Sequence, residues 1–295
     1  MRVLGIPVVA TALAAAMACA PASAQALKVG SKNLTEQFIV AELFAASLEA
    51  AGIAVERRIN LGPTLVVHDA LMSGAIDLYP EYTGTALGAV MKVATETYSE
   101  KEAYQRVKAY YEKEFKLLWL QPSDVNNGYA IVVRPETAQA LNLKTLSDLA
   151  KVSKSLKLGM GPEFADRRDG LRGLKEVYGM EFGEAQQFRE LRQRYEALTS
   201  KKVDVANGFA TDWQIATDGL VTLRDNRSLF PPYILAPVVR MDTVAGNKKA
   251  VDALERVGTL IDNAVMQELN RQVDSGNMAP RQVAERYLKA KGVIR

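Results

Sequence analysis

Four aromatic residues stand in turns or at strand edges: Tyr82 in "PEYTGT", Tyr129 in "NNGYAIVV", Phe209 in "NGFATD" and Tyr233 in "FPPYILAP". A single ring in such a place is ordinarily core packing. Several in equivalent settings point instead to ring faces converging on one place. Each face is the negative side of the ring quadrupole, so together they attract a cation. A quaternary ammonium suits such a cage best. It has no N–H to offer a carboxylate or carbonyl, and its diffuse charge loses little hydration.

An enzymatic reading finds little material. The only histidine, His68, lies in "VVHDALMSG" on a helical stretch, where it reads as a packed or surface residue rather than a base. A metal site needs several convergent ligands, and none gather. No serine sits in a nucleophile elbow, and "GSK" at Gly30 to Lys32 lacks the preceding glycine of a phosphate loop. Asp77 and Glu81 could exchange protons, but read more simply as a strand-end and a loop carboxylate. No catalytic activity, metal or cofactor is expected.

The rings must be positioned by alternating elements. Lys28 to Gly30 reads as a strand, and Asn33 with Glu36 as a capping box opening a helix that carries Val40, Phe44 and Leu48 at helical spacing. Val55 to Leu61 is the next strand, Thr64 to Ser73 a helix and Ala75 to Tyr79 a strand. Ser99 to Glu114 is an amphipathic helix with a second capping box, Ser99 and Glu102. A second alternating series runs through Leu156 to Met160, Gly170 to Tyr178, Val203 to Phe209 and Leu220 to Leu223. Lys248 to Leu269 and Ala279 to Lys291 are helical. Such alternation implies βαβ units and a mainly parallel sheet, with ligands beyond the carboxyl ends of the strands. "YAIVVR" from Tyr129 and the stretch Tyr233 to Arg240 resemble each other as two strands crossing between lobes would, and are the candidate hinges.

Residues 1–24 carry a positive start at Arg2, an apolar run from Val3 to Ala20, and Ala22-Ser23-Ala24 as a small-x-small cleavage pattern. They read as a secretory signal peptide, which places the mature protein in the periplasm. A membrane anchor would need a basic stop-transfer flank, and lipidation at Cys19 lacks the leucine usual three residues earlier. Cleavage removes the only cysteine, so no disulfide or thiolate chemistry is expected. Without Arg2 the chain has 36 basic and 34 acidic residues, a balance that argues against nucleic acid.

"VGSKNLTEQ", "GAIDLYPEYTGTAL", "EFADRRDGLRGL", "VDVANGFATD" and "FPPYILAPVVR" together resemble the glycine betaine, choline and carnitine (osmoprotectant) substrate-binding proteins of ABC importers. The resemblance covers essentially the whole mature chain. It implies a type II periplasmic-binding-protein fold of the α/β class, with two lobes, each a mainly parallel sheet flanked by helices, joined by two crossover strands. Lobe I is expected from residues 25–130 and 236–295 and lobe II from 131–235. Tyr82, Tyr129, Tyr233 and Phe209 match the family's cage, with phenylalanine where tyrosine is common. Asn127 falls where many members carry an acidic or polar group beside the ammonium. Lys32, Thr85 and Arg167 match positions that hold the ligand's carboxylate. Arg168 replaces a frequent proline, leaving open which arginine points inward, and Pro63 replaces a glycine in a loop near the pocket. The implied partners are a small betaine-type ligand and a membrane permease with its ATPase on the cytoplasmic side, served by a monomeric receptor.

Two expectations follow from the sequence. Tyr233→Ala should abolish betaine binding with thermal unfolding nearly unchanged. A carboxylate-bearing betaine should bind better than choline, because Asn127 is neutral and two cations face the tail. Rival readings keep the fold and change the ligand to another amino-acid-like solute, such as a histidine-derived betaine, or make the protein a periplasmic enzyme.

Overall fold

The computed structural model describes residues 26–93 and 98–295. The leader assigned to residues 1–24, with Cys19, lies outside them. Ten strands run in chain order: β1 (Leu27–Lys32), β2 (Val55–Gly62), β3 (Leu78–Tyr82), β4 (Leu117–Trp119), β5 (Tyr129–Val133), β6 (Lys157–Met160), β7 (Glu184–Gln187), β8 (Val205–Phe209), β9 (Val221–Thr222) and β10 (Leu235–Arg240). They form two five-stranded sheets, ordered β2-β1-β3-β10-β4 and β7-β6-β8-β5-β9.

The two sheets share one plan. In the first, β1 runs parallel to β2 and β3, and β10 is antiparallel to both β3 and β4. In the second, β6 runs parallel to β7 and β8, and β5 is antiparallel to both β8 and β9. Four strands of each sheet therefore share a direction. The reversed strand in each is the one whose chain has just crossed from the other sheet. Helices cover both faces, with separate apolar clusters on each. This is why "AIVV" and "LAPVV" read as unbroken apolar runs rather than alternating ones.

Several elements differ from the sequence reading. β3 extends three residues beyond Tyr79, through a proline that sequence logic takes as a terminator. Pro80 lies directly opposite Pro237 of β10, so the missing donors fall on one rung and pairing resumes on either side. The helix opening at Thr35 has Leu34 as its N-cap and no side-chain cap bond, whereas the Ser99–Glu102 capping box forms as read. The stretch 248–269 breaks into Lys248–Gly258 and Asn263–Asp274, the second capped by Asp262, whose carboxylate oxygen accepts the Val265 N–H at 2.8 Å. Tyr129 and Ala130 pair within the second sheet and Leu235 within the first, so the sheets divide the chain slightly differently from the expected lobe boundaries. The connecting segments are Ser123–Gly128 and Phe230–Ile234, which touch through a bridge between Asn126 and Ile234. No helix of the described residues is long and apolar enough to cross a membrane.

Candidate ligand site between the lobes

Two polar turns seat the returning segment. The Thr83 hydroxyl donates to the Pro232 carbonyl at 2.7 Å and accepts from the Ile234 N–H at 3.0 Å. Asn126 accepts the Tyr233 N–H on Oδ1 at 2.9 Å, and the Asn127 N–H donates to the Tyr233 carbonyl at 3.0 Å. "TGT" and "NN" thus grip Pro232 to Ile234 from both sides and fix the Tyr233 ring. That ring lies over Gly84, where a Cβ would stand 2.8 Å from its carbons. Only glycine permits so close an approach.

Tyr129 and Phe209 face each other on one rung of the β5–β8 ladder, which puts both side chains on the same face of the sheet. Their rings stack with centroids 5.4 Å apart and planes 23° from parallel. Tyr233 meets Tyr129 edge-on at 6.1 Å, and Phe164 does so at 4.9 Å. Three of the expected rings therefore form one cluster. Tyr82, at the end of β3, makes no ring–ring contact among the described residues. Phe164 and Phe230 complete the cluster; the sequence reading passed over both, although each lies in a motif it quoted.

Every one of the four ring faces is approached by a cation of the chain itself. Lys32 Nζ lies 4.9 Å from the Tyr82 centroid, Arg167 lies 5.7 Å from Tyr129 and 5.9 Å from Tyr233, and Arg194 lies 5.9 Å from Phe209. These distances fall within the range of cation–π attraction.

The two expected clamp cations are not free. Lys32 Nζ donates to Glu81 Oε1 at 2.5 Å, both groups being buried. Glu81 is thus a strand residue pairing a lysine, rather than a loop carboxylate. Arg167 donates Nε and Nη2 to the two oxygens of Asp169 at 2.8 and 2.9 Å, and Nη2 also to the Tyr233 hydroxyl at 2.7 Å. Its Nη1 makes no hydrogen bond among the described residues. Burial, and then the charge of Asp169, raise the Tyr233 phenol well above its ordinary value. The phenol accordingly keeps its proton and donates it to Asp169. Asp169 was visible in "RRDG", yet nothing local marked it as the partner of Arg167.

Asn127 does not stand alone either. Its Nδ2 donates to Glu36 Oε1 at 2.9 Å, so a carboxylate lies one hydrogen bond behind the neutral amide. The expected preference for a betaine over choline, from a neutral Asn127 and two cations facing the tail, left out this carboxylate and the carboxylate partners of Lys32 and Arg167.

Between the turn at Gly84–Gly88 and the loop Asp166–Asp169 lies a cavity of about 340 Å³. That is the lower end of the range for ligand clefts. Arg167 and Arg168 both line it, but Arg168 is exposed while Arg167 reaches inward to Asp169 and Tyr233. Thr85, part-exposed, belongs to the helical turn Thr83–Thr85 beside this cavity. Pro63 is exposed, caps the helix Thr64–Met72 and does not line the cavity.

Residues 25–290 match the family described as the substrate binding domain of the ABC-type glycine betaine transport system. The chain belongs to this family. It is 33% identical over 268 residues to the ergothioneine transport permease/ergothioneine binding protein EgtU of Helicobacter pylori (strain G27), a match covering 90% of this chain and 48% of that protein. The chain therefore spans about half the length of that relative. Over 283 residues it is 33% identical to the glycine betaine-binding protein YehZ of Escherichia coli (strain K12), covering 92% of each. Among solved structures, it is similar to a glycine betaine/carnitine/choline ABC transporter, with a TM-score of 0.81 at 31% identity, covering 90% of this chain and 99% of that one.

In this substrate-binding domain, the second lobe carries a buried acid behind the ring cluster. Asp212 Oδ2 accepts from the Tyr195 hydroxyl and from the Phe209 N–H, each at 2.7 Å. Burial pushes its carboxyl up to about 7, against the lowering effect of those two donors. Between about pH 4, where the unfolded acid releases its proton, and pH 7, the folded state holds the extra proton. Stability carried by this group is therefore present below about pH 4 and lost as pH rises to about 7. Asp212→Asn is expected to flatten this loss. Urea unfolding at pH 4.5 and 7.5 checks it: equal pH dependence in both proteins would contradict the assignment.

His68 is buried edge-on against Tyr111 and Phe115, and burial lowers its pKa. It lies in the core of the first lobe, apart from the ring cluster. Asp77 uses one carboxylate oxygen to accept the Lys28 N–H at 2.8 Å, a tie between β1 and the start of β3.

Proposed function

We propose that this chain is the extracytoplasmic solute-binding component of an ABC importer and captures a quaternary-ammonium solute in the cleft between its lobes. Glycine betaine, a related betaine, carnitine or choline are the class. What carries the reading is the gathering of Tyr129, Phe209 and Tyr233 at the boundary between the sheets, with their faces and that of Tyr82 already attracting cations. A methylated nitrogen of the ligand takes the place of Arg167 on the faces of Tyr129 and Tyr233. Arg167, through the unengaged Nη1, then turns to the anionic tail, with Lys32 and Thr85 alongside.

The energies require both halves of the site. At roughly 1 kcal/mol per face the rings contribute about 4 kcal/mol. A charge-assisted clamp adds ~2–3 kcal/mol. Micromolar affinity corresponds to about 8 kcal/mol, so neither half reaches it alone. The two lobes, each built on one of the sheets, close about the connecting segments, whose short turns absorb the hinge motion. In this reading the leader is removed on export, and the monomer delivers its solute from the periplasm to a membrane permease driven by a cytoplasmic ATPase. The protein binds and does no chemistry.

A histidine-derived betaine is the second candidate, favoured by the likeness to the Helicobacter protein named for ergothioneine. A thermal-shift series with glycine betaine, proline betaine, carnitine, choline, ergothioneine and ordinary amino acids decides among them. Ligand at one hundred times Kd adds about 2.7 kcal/mol of stability, which a melt resolves. Stabilisation by one or more trimethylated compounds and by no ordinary amino acid is expected. The reverse pattern would refute the reading.

A further inference from the structure

Glu36 is a buried carboxylate that the aromatic-cage reading did not use. It lies on the first turn of the helix Thr35–Ala50, 7% exposed. Its Oε1 accepts from the Tyr82 hydroxyl at 2.5 Å and from Asn127 Nδ2 at 2.9 Å. Its Oε2 accepts from the Thr211 hydroxyl at 2.5 Å and from Asn270 Nδ2 at 3.0 Å. Four donors on two oxygens are what an ionised carboxylate can accept, and a protonated one would have to give up an acceptor position. All four donors are neutral. Among the described residues no lysine or arginine bonds Glu36, while the neighbouring Lys32 and Arg167 are matched by Glu81 and Asp169.

The location is as informative as the missing cation. Tyr82 and Asn127 are two of the residues assigned to the ammonium end of the site. Thr211 belongs to the other lobe, two residues beyond Phe209, and its N–H donates to Asn127 Oδ1 at 3.1 Å. Asn270 and Gln267, on the first lobe's helix Asn263–Asp274, bind the carbonyls of Thr211 and Ala210 at 3.2 and 2.9 Å. A buried charge without a partner is costly unless it serves one.

We propose that Glu36 is the counter-charge of the bound ammonium and the residue that sets how strongly the site prefers a net cation over a zwitterion. The proposal rests on the quaternary-ammonium reading above. Glu36 acts as a positioning residue: it holds Tyr82 and Asn127 in place, reaches the ligand through them by its field, and engages Thr211 when the lobes are together. It supplies the negative charge that a neutral Asn127 does not.

The test is calorimetric titration of tetramethylammonium, choline and glycine betaine into the wild-type protein and into Glu36→Gln, Glu36→Met and Thr211→Val. Removing the charge takes away attraction for the ammonium, but for betaine it also takes away repulsion of the tail. The choline-to-betaine affinity ratio is therefore expected to fall about tenfold in both Glu36 variants. Thr211→Val removes a donor and a cross-lobe bond without removing charge, so it should weaken all three ligands with the ratio kept. Glu36→Met brings no N–H against Asn127 and Asn270, which gives a second neutral background if Glu36→Gln does not fold. A wild-type ratio in a folded Glu36 variant overturns this inference and leaves the broader reading standing. A wild-type protein that binds none of the three, and none of the carnitine, proline betaine and ergothioneine of the thermal-shift series, overturns both.

Discussion

Tyr233→Ala is expected to remove calorimetrically detectable binding of any quaternary-ammonium ligand and to lower stability by about 3–5 kcal/mol. The ring is 6% exposed, packs on the bare backbone of Gly84 and meets Tyr129 edge-on. Truncation therefore opens a void at the lobe boundary as well as removing a cation face. It also frees Arg167 and Asp169 from the phenol that links them. The sequence expectation that unfolding would be nearly unchanged treated Tyr233 as a ring lining an open cleft, and its burial argues otherwise. Tyr233→Phe separates the two effects. It keeps the face and the packing, so binding should persist with a loss of about tenfold or less, the scale of one hydrogen bond. Titration calorimetry with paired urea melts reads both quantities. Unaltered affinity in the alanine variant would remove Tyr233 from the site.

The second large effect is expected at Glu81. Glu81→Ala leaves the Lys32 ammonium buried at 4% exposure without its partner, and also takes the acceptor from the Tyr79 hydroxyl and the Tyr82 N–H. Breaking a buried pair by deleting one member costs about 3–5 kcal/mol, more than the pair's net contribution, because an uncompensated charge is left inside. A second change, Lys32→Met in the Glu81→Ala background, should restore part of the loss by removing that charge. Chemical denaturation of the three proteins measures the sequence of stabilities. A single Glu81→Ala variant within about 1 kcal/mol of the wild type would show the pair to be solvated, as most surface ion pairs are. The same variants bear on ligand binding. Freeing Lys32 from Glu81 increases the positive charge available to an anionic tail, so a surviving Glu81→Ala protein should favour betaine over choline more than the wild type does.

These expectations differ from those drawn from sequence alone in who partners whom. The residues of the proposed site were named from the sequence, the four rings from their turns and strand edges and Lys32, Arg167, Thr85 and Asn127 through the family resemblance. The alternation of elements was also legible, as was the Ser99–Glu102 capping box, because these depend on patterns a few residues long. The same local logic misassigned Glu36. Its position three residues after Asn33 resembles a capping box, but its carboxylate faces inward to Tyr82 and Thr211.

Sequence by itself determined the two-lobed α/β plan and the family, since periodicity, turn chemistry and short motifs survive in one dimension. Tertiary structure alone decided which charges pair with each other inside the protein and which are held by neutral donors. The four donors to Glu36 lie 46, 91, 175 and 234 residues from it along the chain. No local preference encodes such meetings. They exist because two sheets, each completed by a strand returning from the other, bring distant turns to a common boundary where a buried polar group must find partners or lose stability.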